Sequence, residues 1–207
     1  MILALLLAAA EPAPITAIDA ERAFAADAQK IGQWTAFRKW STADALMFTP
    51  QPVNAHAFFK DFKDPPVPVY WWPGRSYVSC DGTVAVNTGP WVRNFGKSVG
   101  YFTTIWKRQP DGGWKWIYDA GDELKTPRAE GGDIKVVKAS CSPGAQQSQL
   151  VTGTRIGAQS GRGESVDRTI SWFWESRQDG SRILRVNLWN GSLHKWVIED
   201  DVAAAPK

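Results

Sequence analysis

The chemistry open to this chain is narrowed first by what it lacks. Only two histidines are present, His56 and His194, and two cysteines, Cys80 and Cys141. No C-x-x-C pair or histidine cluster appears, so no metal site is expected. The segment Gly157-Ala-Gln-Ser160-Gly161 has the wrong spacing for a G-x-S-x-G nucleophile. There is no Walker loop and no G-x-G-x-x-G ahead of a helix, and no cofactor is expected. What remains is acid–base chemistry in an apolar pocket. A carboxyl group there has its pKa raised by desolvation and can move protons near neutral pH. A tyrosine or tryptophan donor can hold a substrate oxygen beside it.

Composition sets the frame for such a pocket. The chain has 207 residues, a net charge of +3 and twelve tryptophans. Large indoles fill a core or line a concave site. The small charge, with no basic stripe, argues against nucleic acid as a partner. Residues 1–14, MILALLLAAAEPAP, carry an apolar run too short to span a bilayer, which needs ~20 residues. Ala8 and Ala10 sit like a signal cleavage site, although a basic start is missing, so export and no membrane anchor in the mature form are expected. A misplaced start or a tail is the alternative. Cys80 and Cys141 fit one disulfide or two buried thiols; spacing does not decide between them.

The elements follow from patterning. Thr16 to Asp19 resembles a capping box, and Phe24, Ala28, Ile31, Trp34 and Phe37 keep one helical face apolar through about Trp40, with Gly32 as an interruption. Residues 41–48 read as a turn and a short extended or helical piece. Asn54 is placed to cap a short helix carrying Ala57, Phe58, Phe59 and Phe62. Strands are expected near 67–73, 76–80, 83–93, 99–108, 114–120 and 134–140, with Asp81-Gly82 and Pro110-Asp-Gly-Gly113 as turns and Gly89-Pro90 as a bulge or bend. The glycines of 152–164 suggest a loop or weak strand pair. Three more strands follow, joined by Gln178-Asp-Gly-Ser181 and Asn190-Gly191. The hairpin around QPDGG echoes the one around RQDGS. That is read as shared hairpin grammar, because a duplication needs more than one matching hairpin.

The helix AERAFAADAQKIGQWTAFRKW, the YWWP segment, TGPW at 88–91 and GYFTTIWKRQPDGGWKWIYDAG together resemble the bacterial "domain of unknown function 4440" proteins of the SnoaL-like, nuclear-transport-factor-2-like superfamily. The resemblance covers about residues 18–122. It implies an α+β fold, a cone-shaped curved antiparallel sheet around the long helix, with a pocket at its open end. On that basis residues 15–124 form the domain and residues 125–207 a β-rich extension. The superfamily holds ketosteroid isomerase-like enzymes, cyclases, dehydratases and non-catalytic members, so fold does not fix function.

The resemblance points to Asp44, His56, Tyr101 and Asp119 as candidate acid–base groups, and to Tyr70, Trp72, Trp91 and Trp34 as candidate ligand contacts. Each has a structural alternative. Asp44 fits a cap, and His56 a local hydrogen bond in the short helix. Tyr70 and Trp72 share one side of their strand and so line the pocket or the core together. Tyr101 shares a face with Thr103 and Ile105. Alternation groups Asp119 with Lys115 and Ile117, opposite Trp114, Trp116 and Tyr118. If those aromatics face the helix, Asp119 faces away from the pocket unless a bulge re-aims it. The expected function is binding of a small apolar or aromatic molecule. The alternatives are a cofactor-independent isomerase, cyclase or dehydratase, and an interaction module that forms a homodimer through the sheet.

Overall fold

The computed structural model describes residues 15–126, 128, 133–145 and 156–204. The signal reading of residues 1–14 lies outside them, as do parts of 125–132 and 152–164. Thr16 opens the first helix as expected. Its hydroxyl accepts from the Asp19 amide at 3.1 Å, and the Asp19 carboxylate reaches back to the Thr16 amide. The apolar period runs on to Trp40, but the helix breaks. α1 (Ala17–Lys30) stops at Ile31, and α2 (Gln33–Trp40) starts after Gly32, whose φ is +106°. Asp64 caps α2 from a distant loop, accepting from the Trp34 amide at 2.5 Å and the Thr35 hydroxyl at 2.6 Å. A Cβ on Gly32 would sit 2.3 Å from the Asp64 Cγ, so both the angle and the space demand glycine.

Residues 41–48 form a full strand. β1 (Ser41–Phe48) is followed by β2 (Pro52–Asn54), α3 (Ala55–Phe59), β3 (Tyr70–Trp71), β4 (Arg75–Val78), β5 (Val84–Arg93), β6 (Ser98–Arg108) and β7 (Trp114–Leu124). Then come β8 (Lys135–Lys138), β9 (Gln159–Glu164), β10 (Ile170–Ser176), β11 (Arg182–Trp189) and β12 (His194–Val202). Asn54 caps α3 as expected, its side chain accepting from the Ala57 amide at 2.8 Å. The larger sheet runs β2-β1-β7-β6-β5-β4-β8, with β3 beside β5; the smaller runs β12-β11-β10-β9. β8, from within residues 125–207, thus joins the larger sheet. β1 pairs parallel to β7, and the β4–β7 meander is antiparallel. The class is α+β, with helices on one face of a curved sheet.

Gly89-Pro90 makes no bulge. β5 keeps its register with β6 there and changes partner on its other edge from β4 to β3. A Cβ on Gly89 would lie 2.1 Å from the Trp72 carbonyl oxygen, so close backbone approach explains the glycine.

The larger sheet has two buried faces. Toward the helices, Phe24, Phe59, Trp71, Phe102, Trp106, Trp114 and Trp116 form one cluster. On the other face, Val84, Val86, Ile105 and Tyr118 meet Ile170, Trp172, Trp174, Val186 and Ile198 of the smaller sheet. That second cluster fills the sheet face through which the alternative homodimer would form, so a second copy would have to use another surface. Cys80 and Cys141 are bonded, with Cα atoms 5.2 Å apart, and tie the β4–β5 turn to the segment after β8.

Candidate functional site

The site depends on a bulge in β7. Ile105 of β6 stands opposite Tyr118, and Trp106 stands opposite Trp116, which leaves Ile117 as an extra residue. Before the bulge, Trp114 and Trp116 face the helices. After it, Tyr118 faces the smaller sheet. Asp119 consequently turns toward the helices and into a cavity. The alternation rule holds on either side of Ile117 and inverts across it.

The cavity has a volume of about 320 Å³ and lies between the helices and the sheet. Phe24, Phe37, Trp71, Trp91 and Phe102 supply aromatic walls, and Gln33 and Asp119 supply polar groups. Arg93, Asp122 and Glu123 stand at its rim, where Arg93 and Glu123 pair at 3.1 Å. The Trp91 ring lies across Gly100, where a Cβ would come within 2.3 Å of the ring, and its Nε1 donates to the Tyr101 carbonyl at 2.9 Å. Two constraints therefore hold one wall in place. Gln33 accepts the Val69 amide at 3.0 Å through Oε1, which leaves its NH2 as a donor at the cavity wall.

Asp119 accepts from the Thr104 hydroxyl at 2.7 Å. Burial pushes its carboxyl up to about 7, against the pull of that hydrogen bond. Its remaining exposure belongs to the cavity it lines. A second acid, Glu21 on α1, is fully buried. Its Oε1 accepts from Trp71 Nε1 at 2.9 Å; its Oε2 accepts from Trp106 Nε1 at 2.6 Å and Asn87 Nδ2 at 3.3 Å. Burial raises Glu21 to about 7; the Trp106 and Trp71 bonds oppose the rise and the Asp119 charge adds to it. Glu21 locks the helix to three strands, while Asp119 faces the open space.

The other sequence candidates fall in several places. Tyr101 borders the cavity, but its ring shares the Thr103 and Ile105 face toward the smaller sheet. The Arg128 guanidinium lies 3.8 Å over that ring and pairs with Asp200 at 2.9 Å. Burial, then the Asp200 charge, pushes the Tyr101 phenol well up, so it is a neutral group between sheets rather than a donor into the cavity. Asp44 is exposed, beside a shallow groove with Lys107 and Arg108. His56 sits off the cavity, 2.9 Å from the Ser41 hydroxyl. Trp34 stacks on Phe59 at 4.4 Å in the helical core. Tyr70 and Trp72 do share a side, but it is the outer one, where they are 54% and 36% exposed. Trp71 between them turns inward. Trp91 and Asp119 are thus the candidates that the structure brings together on the cavity, with Tyr101 contributing at its edge.

Sequence reasoning passed over Glu21, Gln33 and Trp71. Glu21 left a signal: it stands three residues before Phe24 and seven before Ala28, an acid on the apolar stripe of its helix. Among the described residues, no group of three or more His, Cys, Asp or Glu is placed to hold a metal ion. No helix there is long and apolar enough to cross a membrane.

No protein-family model matches the chain, and no curated protein matches it. Solved structures with a similar arrangement include a ketosteroid isomerase-like protein from Shewanella frigidimarina at 13% identity, TM-score 0.40, covering 52% of this chain and 95% of that one. Another ketosteroid isomerase-like protein, from Parabacteroides distasonis, shows 21% identity and TM-score 0.41, over 53% of this chain and 86% of that one. A nuclear transport factor 2-like superfamily protein from Salmonella enterica shows 14% identity and TM-score 0.39, over 56% and 94%. At these values none of them says what this cavity holds.

Proposed function

We propose that this protein binds a small, largely apolar or aromatic molecule in the cavity, anchored through a polar group at Asp119 and the Gln33 amide. The observation that carries this reading is the aromatic-walled cavity of about 320 Å³ with the Asp119 carboxyl set into its wall. Apolar walls with a few placed polar groups are the usual make-up of a ligand site. Native mass spectrometry of protein purified from an exporting host tests it. The expected result is an added mass that leaves on denaturation and is reduced in Asp119→Asn. An empty wild type that also fails to quench its tryptophan fluorescence with aromatic carbonyl compounds would sink the reading.

A second reading is favoured by one observation, the rise of Asp119 to about 7. It is cofactor-independent proton transfer, as in an isomerase, cyclase or dehydratase. Asp119 as a carboxylate would take the proton next to a substrate carbonyl while the Gln33 amide donates to the oxygen. Deuterium incorporation from heavy water into bound cyclic ketones checks it. The rate should rise with pH through about 7 and be lost in Asp119→Asn. Binding without exchange would leave a binding protein.

Export belongs to the same proposal. The Cys80–Cys141 bond supports it, since such bonds persist in oxidising compartments. The N-terminal sequence of protein recovered from the periplasm or medium would test cleavage after Ala10.

A further inference from the structure

Two turns, one in each sheet, are built alike. Ser79-Cys-Asp81-Gly-Thr83-Val84 joins β4 to β5, and Ser165-Val-Asp167-Arg-Thr169-Ile170 joins β9 to β10. In each, the serine hydroxyl donates to the aspartate Oδ1 at 2.6 Å. In each, the threonine hydroxyl donates to the same oxygen, at 2.8 and 2.9 Å. The residue after the threonine donates its amide to the serine hydroxyl at 3.1 Å in both. Gly82 and Arg168 hold the same left-handed position, with φ of +68° and +60°. The two turns also grip each other: the Asp81 amide donates to the Asp167 carboxylate at 2.7 Å, and the Asp167 amide donates to the Asp81 carboxylate at 3.1 Å. Such reciprocity is the mark of a two-fold contact.

The correspondence continues strand by strand. With Asp81 set against Asp167, the pairs Val84–Lys107, Ala85–Trp106 and Val86–Ile105 match Ile170–Leu188, Ser171–Asn187 and Trp172–Val186. Trp106 then stands opposite Trp116, and Asn187 opposite Trp196. The next pairs are Ile105–Tyr118 and Val186–Ile198, so a bulge falls at the same place in both sheets. The bulged residues, Ile117 and Val197, occupy the third position of Lys115-Trp-Ile-Tyr-Asp119 and Lys195-Trp-Val-Ile-Glu199. Val84, Val86, Ile105 and Tyr118 lie in one apolar cluster with their counterparts Ile170, Trp172, Val186 and Ile198. Each sheet thus offers the other the same set of positions.

We propose that β9–β12 is a second copy of the β4–β7 meander, and that it supplies within one chain the partner which that sheet face fits. The partner of this surface is a copy of itself, provided in cis. This sheet face then needs no second copy of the chain.

Light scattering from low to high micromolar concentration tests the partner, with the mass of a single chain expected. A dimer persisting at low micromolar concentration that exchanges β9–β12 between chains would overturn the in-cis arrangement. Urea unfolding of Asp81→Asn and Asp167→Asn tests the repeat, because each change puts an NH2 where the other turn's amide donates. Each should lower the folding constant by a similar factor, roughly tenfold. The double variant should lose less than the product of the two, since the bonds belong to one contact. Unequal effects, with one variant neutral, would overturn the equivalence.

Discussion

Asp119 and Glu199 hold the same position after the same bulge in two meanders, yet their surroundings differ. Asp119 faces helices, a cavity and the Thr104 hydroxyl. Glu199 faces Arg185 at 3.6 Å, with its side chain 58% exposed. A bulge aims a carboxyl; what covers it sets its proton affinity. The first meander carries the helices over that face, and the second sets an arginine where the first has a threonine. The same local geometry therefore yields a group that titrates near neutrality in one sheet and an ion pair in the other.

The strongest way to break this contrast is to remove the helix-borne acid. Glu21→Ala strips the acceptor from Trp71, Trp106 and Asn87 in the core. It should cost about 3–5 kcal/mol in urea unfolding, or prevent folding outright. Glu199→Ala should cost less than about 0.5 kcal/mol. Equal losses would mean that burial does not separate the two faces.

The pH dependence sharpens the contrast. Glu21 and Asp119 stand at about 7 in the folded protein, against 4.5 and 3.8 for the free groups. Between those values the folded chain holds protons that the unfolded chain has released. The contribution of these two acids to stability is therefore fullest below about 4, falls as pH rises toward 7, and levels off above. Asp119→Asn should remove part of that slope, worth on the order of 2 kcal/mol. Urea midpoints across pH 4 to 8 would show a flat wild-type profile if the two acids titrate normally.

Smaller effects separate the sheets at their glycines. A Cβ at Gly163 would lie 2.2 Å from the Trp172 ring in the core between the sheets, so Gly163→Ala should cost about 1–3 kcal/mol. Gly100→Ala presses instead on the Asp122 carbonyl of β7 and on Trp91 in the cavity wall, and should weaken ligand retention as well as stability. The smallest change should be a gain. Arg168→Gly places glycine where the matching turn already has Gly82, relieving left-handed strain worth about 1 kcal/mol in thermal unfolding.

These positions also show what the sequence could disclose. The Asp-Gly and Asn-Gly turns, the Thr16 box and the Asn54 cap were legible because their chemistry is local. The interruption at Gly32 was legible too, but its partner was not, since the Asp64 carboxylate that stabilises the break comes from about thirty residues away. β1 was obscured because its parallel partner lies beyond five other strands in the chain. Gly161 and Gly163 left loop and weak strand both open, because their role is to make room in β9 for Trp174 and Trp172. The facing of Asp119 turned on one extra residue, Ile117, visible only once the β6–β7 register is known. The echo noted between hairpins compared β6–β7 with β10–β11, while the strand registers set β6–β7 against β11–β12. Gln33 carried no mark at all, because its role comes from the Val69 amide across the fold.

The covered face of the larger sheet has a consequence for synthesis. The chain is made from its N-terminus, so β4–β7 leave the ribosome before β9–β12 exist. Val84, Val86, Ile105 and Tyr118 then present a bare apolar surface while the remaining ~80 residues are added, a wait of roughly 4–16 s at ordinary rates of synthesis. Two half-made chains on one messenger would offer each other the surface that each is about to cover for itself. Slow translation through residues 125–202 should therefore favour strand exchange between neighbouring chains, and rapid translation should favour the self-covered form.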